Sequence, residues 1–430
     1  MAEIHPFRGV HYNPTKVKDL AEVICPPYDV ISPQMQQELY QRSQYNFVRL
    51  EHNRELPQDT TTDNKYTRSA TILEQWLAQK ILVADETPAI YLHDHYFQHN
   101  GEYRRRGIIA GVRLQEWADN VVRPHEGTLA EHTSDRLSLL WVCQANTSPI
   151  LALFEDKGRL SALLSRKEKS PPLLSSSDIN GERHDLWAIN EPEAIKQIRE
   201  SLSLQPLYIA DGHHRYESAL GYRRERRACS SSVSGEEAFS FVMMELVAFD
   251  DPGLVILPAH RLVRGMSKAA LSELAARLKS FFEVEELPMG RANVWRQIDG
   301  LLSGGNGGEV RLALLGLVEG KLLRLKLRDA SAADQMMPHF HSELYKRLDV
   351  DIVDSVIPRD LGGGESITYS YDGQDAVDRV LNQEYQLAFL LSPVRAEAVK
   401  AIADAGDKMS RKATYFYPKA PAGLVLHRLD

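Results

Sequence analysis

Residues Tyr208 to Leu220 read YIADGHHRYESAL, and these residue types at this spacing suit the binding of an anion. The apolar run Leu207–Ala210 predicts a buried strand end, Asp211-Gly212 a break, and Tyr216 to Arg227 a helix. A helix start offers N–H groups and the positive end of its dipole to a negative ligand. Gly212 lets a phosphate approach the backbone, and Arg215 offers a two-pronged donor that lysine lacks. His213 and His214 complete a compact Gly-His-His-Arg cluster. The bland alternative is a surface turn with satisfied histidines, and the density of the four residues at one junction argues against it.

A second cluster, Arg123-Pro124-His125-Glu126-Gly127-Thr128, follows another apolar strand end, with Asp135-Arg136 further on. A strand mouth can present His125 and Glu126 side by side. The competing reading makes Glu126 and Asp135 local ion-pair partners of Arg123 and Arg136. His260-Arg261, after a strand and Pro258, are candidates for the same cleft, as substrate contacts with Thr128, Asp135 and Arg136. His93, His95 and His99 share one face of a predicted strand, which invites a metal reading. Exposed polar residues on an antiparallel face are commoner, so no metal ligands are assigned. Arg104 to Arg106 and Arg223 to Arg227 read as solvated faces. Pro26-Pro27-Tyr28-Asp29 reads as a rigid wall near the site, and Lys419 as a minor candidate for a substrate contact.

These residues need elements to hold them. Ser32-Pro33 has the cap and first-position proline of a helix start, and Asp63 to Leu82 has helical apolar spacing. Ala89 to Leu114 predicts a hairpin around Asn100-Gly101. Leu137–Val142 and Glu191–Leu202 read as helices, Pro149–Phe154, Phe239–Phe249 and Gly253–Val263 as strands, and Ser165–Ser177 as a loop. Cys229–Gly235 reads as a Ser-rich connector and Ser303–Gly308 as a Gly-rich turn. Lys268–Phe282 predicts a helix, and Val310–Leu327 a hairpin around Glu319-Gly320. The 430 residues are 43% hydrophobic and 26% charged, as in a globular chain of two or three domains. The net charge of −8 speaks against a nucleic-acid partner. Cys25, Cys143 and Cys229 form neither a disulfide framework nor a metal-ligand spacing and fit a reducing cytoplasm. Neither a signal peptide nor a membrane-length apolar run is read, so no membrane partner is expected. No Walker loop or Rossmann glycine series is present.

The Gly-His-His-Arg turn resembles the Gly-x-His-Arg signature of the ParB/sulfiredoxin-like fold, which binds nucleotide phosphates. The whole chain resembles a bacterial family of unknown function labelled "SpoOJ/ParB-like". The matching stretches are HPFRGVHYNPTKVKDLAEVICPPYDVIS from His5, RPHEGTLAEHTSDRL from Arg123 and KATYFYPKAPAGLVL from Lys412. The resemblance implies an α+β chain. A mixed-sheet ParB/sulfiredoxin-like nucleotide-binding core would span 89–265, with an N-terminal helical extension over 1–88 and a C-terminal α/β domain over 266–430. It also resembles free-serine kinases of that fold, in which a His-Glu pair precedes the turn. By that resemblance Glu126 is the general base, with His125 and His214 as catalytic partners. Asp211, Gly212, His213, His214 and Arg215 would hold the phosphates of ATP or ADP, with Mg²⁺ bridging them near Asp211. Thr133 stands where the family commonly has lysine, which removes one phosphate or substrate contact. His213 replaces the catalytic cysteine of sulfiredoxins, which excludes cysteine-based sulfinic acid repair.

The leading expectation is therefore an enzyme, a nucleotide-dependent phosphotransferase acting on a small hydroxylated metabolite. Free serine is the leading acceptor, or phosphoserine in the reverse direction. The alternatives are a nucleotide- or metabolite-binding regulator without catalysis, and a nucleotidase or phosphatase. A homodimer is an open expectation.

Overall fold

The computed structural model describes residues 1–229, 234–290, 293–303, 311–337, 341–357 and 367–430. Most of the expected Ser-rich connector and Gly-rich turn, 230–233 and 304–308, lies outside the described residues. The chain is α+β with mixed sheets. Its internal contacts divide it into two units. The first comprises Met1–Pro124, Thr128–Val255 and Pro418–Asp430, and the second His125–Gly127 and Ile256–Tyr417.

The first unit is built on a nine-stranded sheet. Its strands are β1 (Ile4–His5), β2 (Ile90–Gln98), β3 (Glu102–Arg113), β4 (Val122–Arg123), β5 (Ile150–Phe154), β6 (Leu174–Ser177), β7 (Arg183–Ile189), β8 (Leu207–Asp211) and β9 (Phe241–Ala248). Their order is β4-β8-β5-β9-β3-β2-β7-β6, with β1 paired to β3. The predicted hairpin is β2–β3, with Gln98 opposite Glu102 and Asn100 at φ 53° in the turn. The sheet is covered on both faces. Ile90, Leu92, Ala152 and Ile209 pack on one side against helices α1 (Ala130–Cys143), α2 (Pro192–Leu202) and α3 (His213–Ala228) through Leu140, Ile198 and Leu220. Tyr91, Ile109, Leu186 and Met243 pack on the other with Phe7 and Val425. A four-stranded sheet joins distant parts of this unit in the order Leu82–Ala84, Gly9–Tyr12, Leu426–Arg428, Ala145–Asn146.

Local rules explain most boundaries. Ser32 caps the helix Pro33–Arg42 by accepting from Met35 N, and Asn64 caps Lys65–Ala78. That second helix stops short of the expected Leu82, because Lys80 turns left-handed at φ 56° and Leu82 starts a strand. The expected loop over Ser165–Ser177 contains the end of the helix Arg159–Lys167 and the strand β6, a polar edge held by backbone pairing to β7. Gly253–Val263 is two strands, Val255–Leu257 and His260–Val263, separated at Pro258, which has no N–H to donate.

The expected solvated faces are corrected at Arg105 and Arg223, while Arg104, Arg224 and Arg227 are exposed as expected. Arg105 is fully buried, and Arg106 is paired with Asp94 at 2.7 Å. Arg223 is buried against the Leu114 carbonyl and pairs with Glu116 at 2.6 Å, whereas Arg224 is exposed. His93 and His95 are likewise wholly covered rather than exposed. A period of two says which residues share a face, not whether that face meets water. Burial depresses the pKa of His95 and of His184, which stand opposite one another on β2 and β7. Burial would raise the Glu245 carboxyl, but His93 and Arg105 outweigh it and hold it low.

The second unit carries a six-stranded antiparallel sheet in the order Phe282–Pro288, Lys321–Leu327, Arg311–Leu315, Leu387–Leu391, His260–Val263, Ile367–Ser370. Leu262, Ala313, Ala388 and Leu390 form its core with Val294, Ile298 and Val377 from two helices. Among the described residues no helix is long and apolar enough to cross a membrane.

Candidate functional site

Strand β8 lies between β4, to which it runs parallel, and the antiparallel β5. Register slips between Ile209 and Asp211, a bulge that re-aims the Asp211 side chain at the strand end. Gly212 then turns left-handed at φ 96°, and α3 begins at His213. A Cβ on Gly212 would meet Arg215 Nε at 3.0 Å, because the guanidinium folds back over the turn. The space expected for a phosphate is thus covered by the side chain expected to bind it. Both the dihedral and the contact call for glycine. Gly212→Ala is expected to lose about 1–2 kcal/mol from the left-handed backbone alone, and Gly212→Asn less. Urea unfolding of the two variants checks the order.

Arg215 is heavily engaged. It donates Nη2 to Asp211 Oδ2 at 2.6 Å, and Nη1 to Ser148 Oγ at 3.1 Å and to the Pro149 carbonyl. Its Nε has no hydrogen-bond partner among the described residues. The other Asp211 oxygen accepts from Lys419 Nζ, which also lies 3.8 Å from Asp29. Burial would raise the Asp211 pKa, but Lys419 and Arg215 overcome it and hold the carboxyl well below its usual range. Two cations therefore converge on one carboxylate beside a helix N-terminus. His213 is buried next to them. His214 Nε2 accepts from Leu129 N at 3.0 Å, so it holds the start of α1.

The Pro26–Asp29 segment does form part of this neighbourhood. Cys25 and Ala422 exchange backbone hydrogen bonds, which ties the segment to the chain around Lys419. Tyr28 lies under the Arg136 guanidinium, 3.9 Å from ring to cation. Burial pushes its hydroxyl up to about 12 against the pull of Arg136 and Arg215. Arg136 binds Asp135 at 2.8 Å and the Glu51 carbonyl at 3.0 Å, and Glu51 accepts from Ser148 at 3.1 Å. Asp135 is also bound by Tyr66 at 2.8 Å and Lys65 at 3.0 Å. Asp135 and Arg136 are thus a buried brace behind the turn, as the ion-pair reading expected of that pair. The cavity between Arg136 and Arg215 holds about 30 Å³, room for one water and not for a nucleotide.

Burial would raise the Asp135 pKa, but Arg136, Tyr66 and Lys65 bring it from 3.8 to about 2. A carboxylate depressed on folding stabilises fully above pH 3.8, and the contribution is lost as pH falls toward 2. Asp135→Asn is therefore expected to destabilise by about 2 kcal/mol at pH 7 and far less near pH 2. Denaturant melts at the two pH values measure this.

The remaining candidates, apart from Thr128, fall in the second unit. His125 is buried, with Nε2 3.0 Å from Thr414 Oγ1, and its carbonyl accepts from Met409 N at 2.8 Å. Glu126 Oε1 accepts from Lys412 N at 3.1 Å. In the chain they lie between Arg123, bonded to Tyr208 at 3.3 Å, and Leu129, bonded to His214. Thr128 is exposed. His260 Nδ1 accepts from Leu391 N at 3.1 Å, and burial pushes its pKa to about 4. Arg261 is fully buried and bound to Asp354 through Nε and Nη2 at 3.0 Å, an internal brace of this unit.

The donors around Asp211 fit phosphate oxygens, with a guanidinium, an ammonium and a helix start together. They do not fit Mg²⁺ on Asp211, since both carboxylate oxygens already face cations and a third would be repelled. Sequence reasoning undervalued Lys419 and missed Ser148, Glu51 and Lys65. The only local signal was the polar types of Asn146, Thr147 and Ser148 before a buried strand.

A family model described as "Protein of unknown function (DUF1015)" matches residues 4–351. No curated protein matches the chain by sequence. Among solved structures it is similar to a free serine kinase in complex with AMP, at 14% identity and TM-score 0.36, covering 74% of this chain and 91% of that one. It is also similar to a conserved hypothetical protein from Pyrococcus furiosus, at 14% identity and TM-score 0.34, covering 75% and 95%. A third is SbnI with C-terminal truncation from Staphylococcus aureus, at 10% identity and TM-score 0.37, covering 74% and 87%. Likeness this loose fixes neither a substrate nor a site.

Proposed function

The chain belongs to this family of unknown function, and we propose that within it this protein is a nucleotide-dependent phosphotransferase acting on a small hydroxylated metabolite. Free serine is the leading acceptor, with phosphoserine as the reverse substrate, and ATP or ADP is the nucleotide. One observation carries the reading. Asp211 gathers Lys419 and Arg215 at a left-handed glycine that opens a helix. Such a carboxylate keeps two cations oriented until a more highly charged phosphate competes for them. Arg215 and Lys419 then neutralise phosphate charge, while His214 anchors the segment that follows Glu126. Glu126 takes the acceptor's proton as general base, and His125 holds its place in the chain beside it. Mg²⁺ would belong to the nucleotide phosphates and not to Asp211.

A regulator that binds nucleotide without turnover is the second reading, favoured by the number of protein partners Arg215 already has. Calorimetric titration with ATP and ADP tests the shared part. Arg215→Ala is expected to weaken nucleotide binding by about 1.5–3 kcal/mol. Unchanged affinity in a variant with native circular dichroism would place the phosphates elsewhere.

A further inference from the structure

Four strands of the first unit place a polar cluster on the sheet face that otherwise packs Tyr91, Leu186 and Met243. They contribute His93 and His95 from β2, Arg105 from β3, His184 from β7 and Glu245 from β9, joined by Glu182 just before β7. All six are buried. Gly107 makes the arrangement possible, since a Cβ there would lie 2.8 Å from Glu245 Cγ, and Glu245 crosses β3 at that point to reach His93.

With both imidazoles neutral, hydrogen-bond logic places the protons. Glu245 Oε1 lies 2.8 Å from His93 Nδ1, and a carboxylate only accepts, so Nδ1 carries the hydrogen. His93 Nε2 is left with a lone pair, 3.1 Å from His184 Nδ1, which must donate. In that state His184 Nε2 ends the relay as a lone pair in the sheet interior, with no group in hydrogen-bond geometry among the described residues. Around it stand a His95 nitrogen and a Glu182 oxygen, all within 4.8 Å of one another. Asp178 Oδ2 is 3.9 Å from the same nitrogen.

The geometry points to a metal site for one divalent transition ion of the zinc class, held by His184 Nε2, His95 and Glu182. Two neutral imidazoles and one carboxylate form a mixed N/O set of the kind that suits zinc and its neighbours, and the nearby Asp178 carboxylate adds negative charge. The His184–His93–Glu245 relay is the outer shell that orients a ligating imidazole. Loading has one local requirement. Arg105 now donates to His95 Nδ1 at 3.3 Å, while His95 Nε2 meets Glu182 at 2.7 Å. His95 must move its proton from Nε2 to Nδ1, and the long Arg105 contact must open. Arg105 keeps its 2.8 Å bond to the Pro418 carbonyl. The ion would fasten the β6–β7 hairpin, which supplies Glu182 and His184, to β2.

Full-length protein stripped with a chelator and titrated with Zn²⁺ or Co²⁺ provides the test. Uptake of one equivalent is expected, with a rise in melting temperature and a visible Co²⁺ band. His184→Ala and Glu182→Gln should abolish uptake. His93→Ala removes only the orienting bond and should weaken affinity roughly 10–100-fold. Arg215→Ala should bind metal like wild type. The wild-type titration needs no variant to fold. If stripped wild type takes up neither ion, the cluster is a metal-free polar network and the inference fails. It fails equally if a folded His184→Ala variant binds metal as wild type does. Neither outcome depends on whether the protein transfers phosphate.

Discussion

Glu126→Gln is expected to slow phosphoryl transfer by about 10²–10⁴-fold while leaving nucleotide affinity unchanged. Gln keeps a side-chain oxygen able to accept from Lys412 N, so the local backbone has no reason to move. What it loses is the capacity to take a proton. Radiolabelled transfer from ATP or ADP to a panel of hydroxylated amino acids measures the rate. Equal rates in wild type and variant would remove Glu126 from the chemistry. If neither transfers phosphate to any acceptor while both bind nucleotide tightly, the regulator reading takes over.

Asp211→Ala is expected to destabilise the first unit by about 3–5 kcal/mol, the range for removing one partner of a buried ion pair. Arg215 and Lys419 are both largely buried, and both point at this carboxylate. Its loss leaves two cations facing each other in a poorly solvated turn. Phosphate or sulfate should restore part of the lost stability by occupying the place of the carboxylate. A variant as stable as wild type in denaturant would show that the turn does not depend on this charge balance.

The parts of this site made by neighbours in sequence were legible. Leu207–Ala210 reads as a buried strand, Asp211-Gly212 as its end and the following residues as a helix, and so they fold. The Asn100-Gly101 hairpin follows from turn chemistry alone. Contacts between distant segments were not legible. Arg215 meets Ser148 across 67 positions, and Tyr66 meets Asp135 across 69. No local pattern encodes such meetings. His93, His95 and Arg105 misled for a related reason, since strand alternation is blind to what later packs on the face. His260 and Arg261 looked like site residues because a strand and a proline precede them, yet the second unit uses them internally.

Lys419 reaches Asp211 across 208 positions of chain, in a segment that returns to the first unit after the second has been passed. During synthesis the ribosome therefore releases the Asp211 turn long before its ammonium partner exists. Until Pro418–Asp430 emerges, Asp211 has only Arg215 of its two cations, and Gly9–Tyr12 waits for the Leu426–Arg428 strand. Until that segment is made, the first unit lacks one strand of its four-stranded sheet. A premature stop anywhere before residue 418 would remove Lys419 as well as the Leu426–Arg428 strand, so one short segment completes both the charge balance of the turn and the sheet.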